Sequence, residues 1–449
     1  MSPDSSSRTN LLESPKQSRP ATSRGEPCLG WRFGGVFDGY KGIPREADLL
    51  IYASFFNWAA AGLLFITLQV FLVLEGLSFA LSGLIVGTFG ITSALATWPF
   101  GILADRYGRK RFVIGGGVVS AFAITLFAIV GTNISLLFAA AALSGFSEAM
   151  FASSWTAMLA DKATNAWRTR AFTLSFFVST ISSAAGGFSA SILGPIDSLL
   201  GISLVQGHRY LFAGVAAVSL FGPAMVSKVS DSKPSVLGNP RFHFLPRKSL
   251  RPVVQYSIAG GLIAFGAGMV VPLVPGWAYL RFGVKDDVTG PVFGGINSLV
   301  MGVANLATPR LAKRFGTVKT IVVTQASSTA FLFSMPFTPN FPAASAVFIV
   351  RSCLMMMSNP AEQSLLMGLV SEDERATAAA ITAALWRFPN SISTGLGAYI
   401  MGLGGFLYLS LPFWICTGLY LASISYFWVA FKETRLPEEK VLAPIPAAT

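Results

Sequence analysis

Between Asp48 and Lys432 the chain is a succession of about twelve apolar runs, most of them separated by short polar loops. A helix that crosses a bilayer needs roughly 20 mostly apolar residues. In hydrocarbon its backbone polar groups must be satisfied within the segment or in a closed barrel. These runs are long and continuous, not alternating segments of about ten residues, so they predict helices and exclude an outer-membrane barrel. Composition agrees, with 53% hydrophobic residues, 12% charged and a mean hydropathy of +0.60, against about 25% charged in soluble domains. The expected spans are 49–74, 77–100, 112–131, 134–160, 171–194 and 209–227, then 253–280, 288–309, 317–336, 341–369, 377–402 and 405–431.

The net charge of +12 would suit a nucleic-acid partner, but its distribution gives another reason for it. With the amino terminus inside, 28 of the 33 basic residues fall on inside segments, and only Arg209, Arg281 and Lys285 on outside ones. That is the positive-inside pattern, so both termini are expected in the cytoplasm and nucleic acid drops out. The expected setting is the plasma membrane. Residues 1–47 are rich in Ser, Pro and Arg and hold no signal-peptide core; they read as a disordered cytoplasmic tail. A polar stretch rich in Pro, Lys and Arg at 229–251 separates an expected bundle at 48–228 from a second at 252–432, with a tail at 433–449. Cys28, Cys353 and Cys416 have no metal spacing, and two histidines make no metal cluster. No metal, cofactor or catalytic residue is expected.

The two halves repeat one another. Leu103-Ala104-Asp105-Arg106-Tyr107-Gly108 lies over Leu311-Ala312-Lys313-Arg314-Phe315-Gly316 at an offset of 208, and Arg170-Ala171 over Arg375-Ala376 at 205. Duplicated halves in transporters place the substrate site between them near the bilayer midplane. The fold expected is all-α, with twelve transmembrane helices in two pseudo-symmetric six-helix bundles.

The run from Gly101 through Asp105, Arg106, Gly108 and Arg109 to Arg111 resembles the signature loop of the major facilitator superfamily, and its degraded copy falls between the eighth and ninth helices. The resemblance covers residues of about 48–432. Gly101 is expected to end the second helix where backbones crowd, and Gly108 to allow the tight reversal. The resemblance implies that Asp105 latches the halves in an outward-facing state and that Arg109 pairs with Asp161. Lys313 replaces the aspartate in the second copy, so the first half should carry the full latch.

Ionisable residues inside spans are functional candidates, because each is costly in hydrocarbon. Four stand out: Glu148, Arg351, Glu362 and Arg387. On one continuous helix Arg351 and Glu362, 11 residues apart, would share a face about 16 Å apart. In the family the first, fourth, seventh and tenth helices line the cavity, which implies that Glu148 and Arg351 face each other or a substrate. Glu148, Ala152 and Trp155 share a helical stripe. A carboxylate against an apolar wall suits a proton carrier. Asn57, Trp58, Gln69, Gln255, Tyr256 and Asn359 are the polar and aromatic company, packing or ligand contacts alike. The seventh helix, with Pro272 and Pro275, should bend or break, and Trp277 and Tyr279 read as interfacial anchors.

These features point to a secondary transporter of a small solute, working as a monomer in the bilayer, with a coupling proton and an efflux-like character. The subgroup motifs divide: Ala141 stands where drug–proton antiporters carry a fourth-helix arginine, and the fifth helix keeps Gly186-Gly187 without the preceding Gly-Pro. An uptake carrier for a sugar, organic anion or other metabolite is the alternative, for which Arg351 and Arg387 suit a carboxylate or phosphate. A sensor that binds without transporting would carry an added signalling domain, and a membrane-embedded transferase a metal-binding acidic motif in a cytoplasmic loop. Asp286-Asp287 fall instead in an outside loop without a partner motif.

Overall fold

The computed structural model describes residues 42–163, 168–231, 248–305, 307–371 and 375–433. Residues 1–41, 232–247 and 434–449, and with them the expected tails and most of the expected linker, lie outside that set. Every regular element among the described residues is helical. The first four helices are Arg45–Leu74, Phe79–Tyr107, Arg109–Ile129 and Ile134–Lys162. The fifth, Arg168–Ser189, continues through Ala190–Ile192 into Leu193–Leu200. The sixth comprises Leu204–Ser219 and Phe221–Val226.

In the second half the seventh helix is Leu250–Val270, a 3-10 turn Val271–Leu273 and Val274–Phe282. Pro272 and Pro275 supply no N–H for a regular ladder, so the helix breaks where expected. The eighth begins at Asp286–Thr289, passes through a π segment Gly290–Ile296 and ends as Asn297–Asn305. A further helix, Thr308–Phe315, leads to the ninth, Thr317–Ser334. The tenth divides into Phe341–Met356 and Asn359–Leu369. The eleventh and twelfth are Arg375–Gly402 and Gly405–Phe431.

Among the described residues, nine of these spans are long and apolar enough to cross a membrane. The other three carry polar or broken sequence: the π segment of the eighth, a Thr/Ser/Gln-rich ninth, and an eleventh with Arg387 and Asn390. Many hydroxyls inside the helices donate to the preceding turn, as in Thr67 to Leu63 O at 2.9 Å and Thr324 to Thr320 O at 2.8 Å.

The internal repeat reaches the level of single hydrogen bonds. Gly108 (φ +100°) and Gly316 (φ +84°) occupy matching reversals. Each donates its N–H to the carbonyl four residues back, Ala104 at 3.0 Å and Ala312 at 2.9 Å. Only glycine takes that backbone region cheaply.

The second helix packs on the fourth and the eleventh, and the fifth on the first and the eighth, so the second–eleventh and fifth–eighth pairs make the broadest contacts between the halves. Small residues make those seams close. A Cβ on Gly83 would lie 2.0 Å from that of Ala398, and one on Gly187 2.6 Å from the backbone of Gly294. In lipid, association relies on such close packing rather than on hydrophobic burial. Both seams lie in the half of the helices farther from the basic 2–3 loop, called here the opposite face. The core follows the same division. Phe71, Phe127 and Phe212 centre a cluster in the first half, and Trp277, Phe348 and Phe413 one in the second. Trp277, expected as an interfacial anchor, is 0% exposed and packs on Phe282 and Phe413. The helix break turns it into the bundle instead of toward the headgroups.

Candidate functional site

A cavity of about 330 Å³ opens among the first five helices, the fifth contributing Ser183. The first helix contributes Asn57, Trp58, Phe65 and Gln69, the second Phe89, the third Phe127, and the fourth Ser144, Ser147 and Glu148. Pro272, at the seventh-helix break, is its lining residue from the second half. Whereas the resemblance implies a cavity lined by four helices of both halves, this chamber is walled almost wholly by the first half. Its wall is mostly apolar and aromatic with a few polar groups, the usual character of a small-molecule site. Gln69 is 3% exposed, and both its amide atoms lack a partner among the described residues. An unsatisfied buried amide is unfavourable and leaves the chamber a donor and an acceptor to offer a ligand.

Glu148 stands at the chamber's edge and reaches Arg387 of the eleventh helix at 3.4 Å. Arg387 also donates to Ser93 Oγ of the second helix at 2.5 Å. One guanidinium thus ties the fourth, second and eleventh helices, and so the two halves, together. Of the expectation that Glu148 and Arg351 face each other or a substrate, the direct pairing is corrected. Arg351 is 3% exposed, donates to Tyr420 OH at 2.8 Å and lies over that ring, inside the second half. The Arg351 backbone carbonyl accepts from Ser328 Oγ at 2.9 Å.

Glu362 also belongs to the second half alone. Gln325 Nε2 donates to it, as do Ser358 Oγ at 2.8 Å and Tyr256 OH at 3.4 Å. The interruption at Met357–Ser358 breaks the continuous helix on which Arg351 and Glu362 would have shared a face. Trp155 is buried with its Nε1 donating to Leu50 O at 3.3 Å, so it fastens the fourth helix to the first rather than lining the chamber. Asn359 is exposed, and its Nδ2 contacts Met356 Sδ at 3.3 Å, away from the chamber.

At the basic face Arg109 and Asp161 form an ion pair of 2.6 Å. Asp231 Oδ1 accepts from Lys110 N at 3.4 Å, at the third-helix N-terminus, where negative charge is favoured. Lys162 pairs with Glu46 at 2.9 Å, joining the ends of the fourth and first helices. Arg106 is exposed beside the Tyr107 ring. Gly101 departs from expectation: the second helix runs through it, and a Cβ there would meet nothing within 4 Å. The crowding expected there is absent. The side chains of Asp105 and Lys313 lie outside the described residues.

Ser93, the chamber's location and a buried His208–Asp286 contact were not foreseen. Serines in apolar spans carry little signal singly. His208, however, was a readable one, since it is an ionisable residue beside an apolar run.

The sequence profile of the Major Facilitator Superfamily matches residues 50–394. The inner membrane transport protein YajR of Escherichia coli K12 is 32% identical over 154 residues, 34% of this chain and 31% of that protein. Multidrug resistance protein 2 of Bacillus subtilis is 33% identical over 147 residues, 32% and 36% of the two chains. The alignments thus span about a third of the length of these relatives. Among solved structures, a point mutant of the nucleoside transporter NupG superposes with a TM-score of 0.72 at 14% identity, covering 86% of this chain and all of that one. A D-xylose–proton symporter gives 0.68 at 16% identity, over 88% and 97%. At such identity the structural likeness speaks for the fold.

Proposed function

Because the chain belongs to the Major Facilitator Superfamily, and is thus a multi-pass membrane transporter and not an enzyme, we propose that it moves a small amphipathic solute by alternating access, coupled to protons through Glu148. The observation that carries this reading is the Glu148–Arg387 pair, which bridges the halves at the edge of the chamber. A carboxylate held by an arginine of the other half has two states. Ionised, it keeps the halves engaged; protonated, it loses most of that attraction. A proton on Glu148 thereby changes the balance between closed and parted halves, and a ligand in the adjoining chamber can do the same.

The basic face is the cytoplasmic one in this reading, supported by the distribution of lysine and arginine. The close seams at the opposite face and the open space at Gly101 then correspond to a transporter open to the inside. The division between halves falls at 229–251. Asp105, Gly108 and the Arg109–Asp161 pair serve the gating loop, with Asp105 engaged when the halves close on the cytoplasmic side.

The aromatic chamber with one carboxylate favours an efflux-like role, in company with relatives named for multidrug and quinolone resistance. The alternative, uptake of a hydroxylated metabolite, draws on the Asn57, Gln69, Ser144 and Ser147 hydrogen-bonding set. A thermal-shift comparison of purified protein with a quinolone, a nucleoside and D-xylose, at acidic and neutral pH, separates these. A ligand at 100 times its Kd stabilises by about 2.7 kcal/mol. The efflux reading predicts a shift with the quinolone that shrinks in Gln69→Leu. A shift with the nucleoside or the sugar alone would transfer the case to the alternative.

A further inference from the structure

Away from the chamber, one pair of ionisable side chains joins the halves deep inside the opposite face. His208 lies near the start of the sixth helix and Asp286 opens the eighth, and both side chains are 0% exposed. His208 Nε2 is in hydrogen-bond contact with Asp286 Oδ2, and His208 Nδ1 lies 2.7 Å from the Leu204 carbonyl. A carbonyl oxygen only accepts, so Nδ1 carries a hydrogen. The Nε2–Oδ2 contact needs a second hydrogen, whichever of the two atoms holds it. The closed pair therefore keeps one proton more than a neutral imidazole and an ionised carboxylate would hold together.

The surroundings seal the pair in. Phe71 and Phe212 flank the imidazole, with ring centroids at 5.5 and 6.1 Å. The neighbouring charges make their contacts elsewhere. Arg209 binds Glu75 of the first helix at 2.8 Å, and Lys285 faces Asp197 at the tip of the fifth at 3.8 Å. Asp287 lies against Gly194, and Arg281 of the seventh helix reaches the Thr338 carbonyl and the Phe406 ring.

We propose that His208 and Asp286 form a proton-binding latch that holds the transporter's outer gate shut, a proton site separate from Glu148. The proposal rests on the alternating-access reading, because it assigns the opposite face to a gate. When the halves part there, the pair enters water. An exposed imidazole keeps its extra proton only below about pH 6.5, while an exposed carboxylate stays ionised down to about 3.9. Opening above that pH thus releases one proton outward, and closing takes one up. The sign follows: the latch is at full strength below about pH 6.5 and weakens as the outer pH rises. The closed pair has no exposure through which to pass its proton inward. It therefore sets the gate's equilibrium and does not carry the transported proton.

The test uses the full chain in nanodiscs, with Cys28, Cys353 and Cys416 replaced and Thr289→Cys introduced as a reporter. Thr289 is 0% exposed in the closed seam, whereas Leu199 is 81% exposed. The rate of labelling of Thr289→Cys by a polar maleimide is divided by that of Leu199→Cys, which removes the thiol's own pH dependence. The latch predicts that this ratio rises by up to about tenfold per pH unit above about pH 6.5. It also predicts that His208→Gln and Asp286→Asn flatten the rise to less than about twofold. The exchanged pair, His208→Asp with Asp286→His, should restore it and keeps the comparison decisive should a single variant misfold. A flat profile in the parental protein, or an equally steep one in both single variants, overturns the proposal. Labelling that occurs but ignores pH removes the latch and leaves alternating access standing. No labelling at any pH removes both.

Discussion

Arg351 and Arg387 look alike in the sequence, each a lone cation in an apolar span, yet their surroundings give them different tasks. Arg387 keeps 36% of its side chain exposed and reaches across the halves to Glu148, a position from which it can respond to a proton or a ligand. Arg351 is enclosed, with the Tyr420 hydroxyl as a partner and its Nε unpartnered among the described residues. A buried charge stripped of a hydrogen bond is destabilising, by about 1.5–3 kcal/mol. Tyr420→Phe should therefore lower the stability of the folded protein by that order in a denaturation series; an unchanged midpoint would remove the structural role given to Arg351. The ionisable candidates themselves were legible, because charge in an apolar span is conspicuous. Their pairing was not, since it depends on how the fourth, tenth and eleventh helices are rotated. The interruption at Met357–Ser358, which turns Glu362 toward Gln325 and away from Arg351, answers to Pro360, which lacks an N–H for the Met356 carbonyl one turn back.

Element by element, the breaks that sequence foretold are those made by residues with restricted or unusual backbones. Pro272 and Pro275 break the seventh helix, and Gly108 and Gly316 make the two matched reversals. The π segment of the eighth helix, Gly290–Ile296, carries Pro291 and three glycines, residues that weaken a regular helix, and packs against the fifth helix. That contact is a close part of the seam at the opposite face, with Gly187 set against the Gly294 backbone. A side chain there has no space unless the helices separate. Gly187→Val should consequently hold this face open, so that Thr289→Cys is labelled several-fold faster than in the parental background at the same pH. Unchanged labelling would show that the seam closes by another route.

For the whole molecule, duplication explains the frame and its asymmetry explains the function. The halves share the helix order and the reversal at Gly108 and Gly316, and basic residues cluster at both loops. Yet the chamber lies within the first half, while the arginine that meets its acid comes from the second. The twelve-helix frame was readable because apolar length and charge placement are local properties. The chamber's walls were not, because a cavity is what remains after all helices have packed. The account turns on Glu148 as the group through which protons reach that chamber. The most direct measurement is proton flux into proteoliposomes with a trapped pH-sensitive dye, driven by a gradient of whichever panel compound binds. The wild-type protein should move protons in step with that compound. Glu148→Gln should lose at least about nine-tenths of that flux while still exchanging labelled for unlabelled compound. Equal, compound-driven proton flux in both proteins would contradict the account.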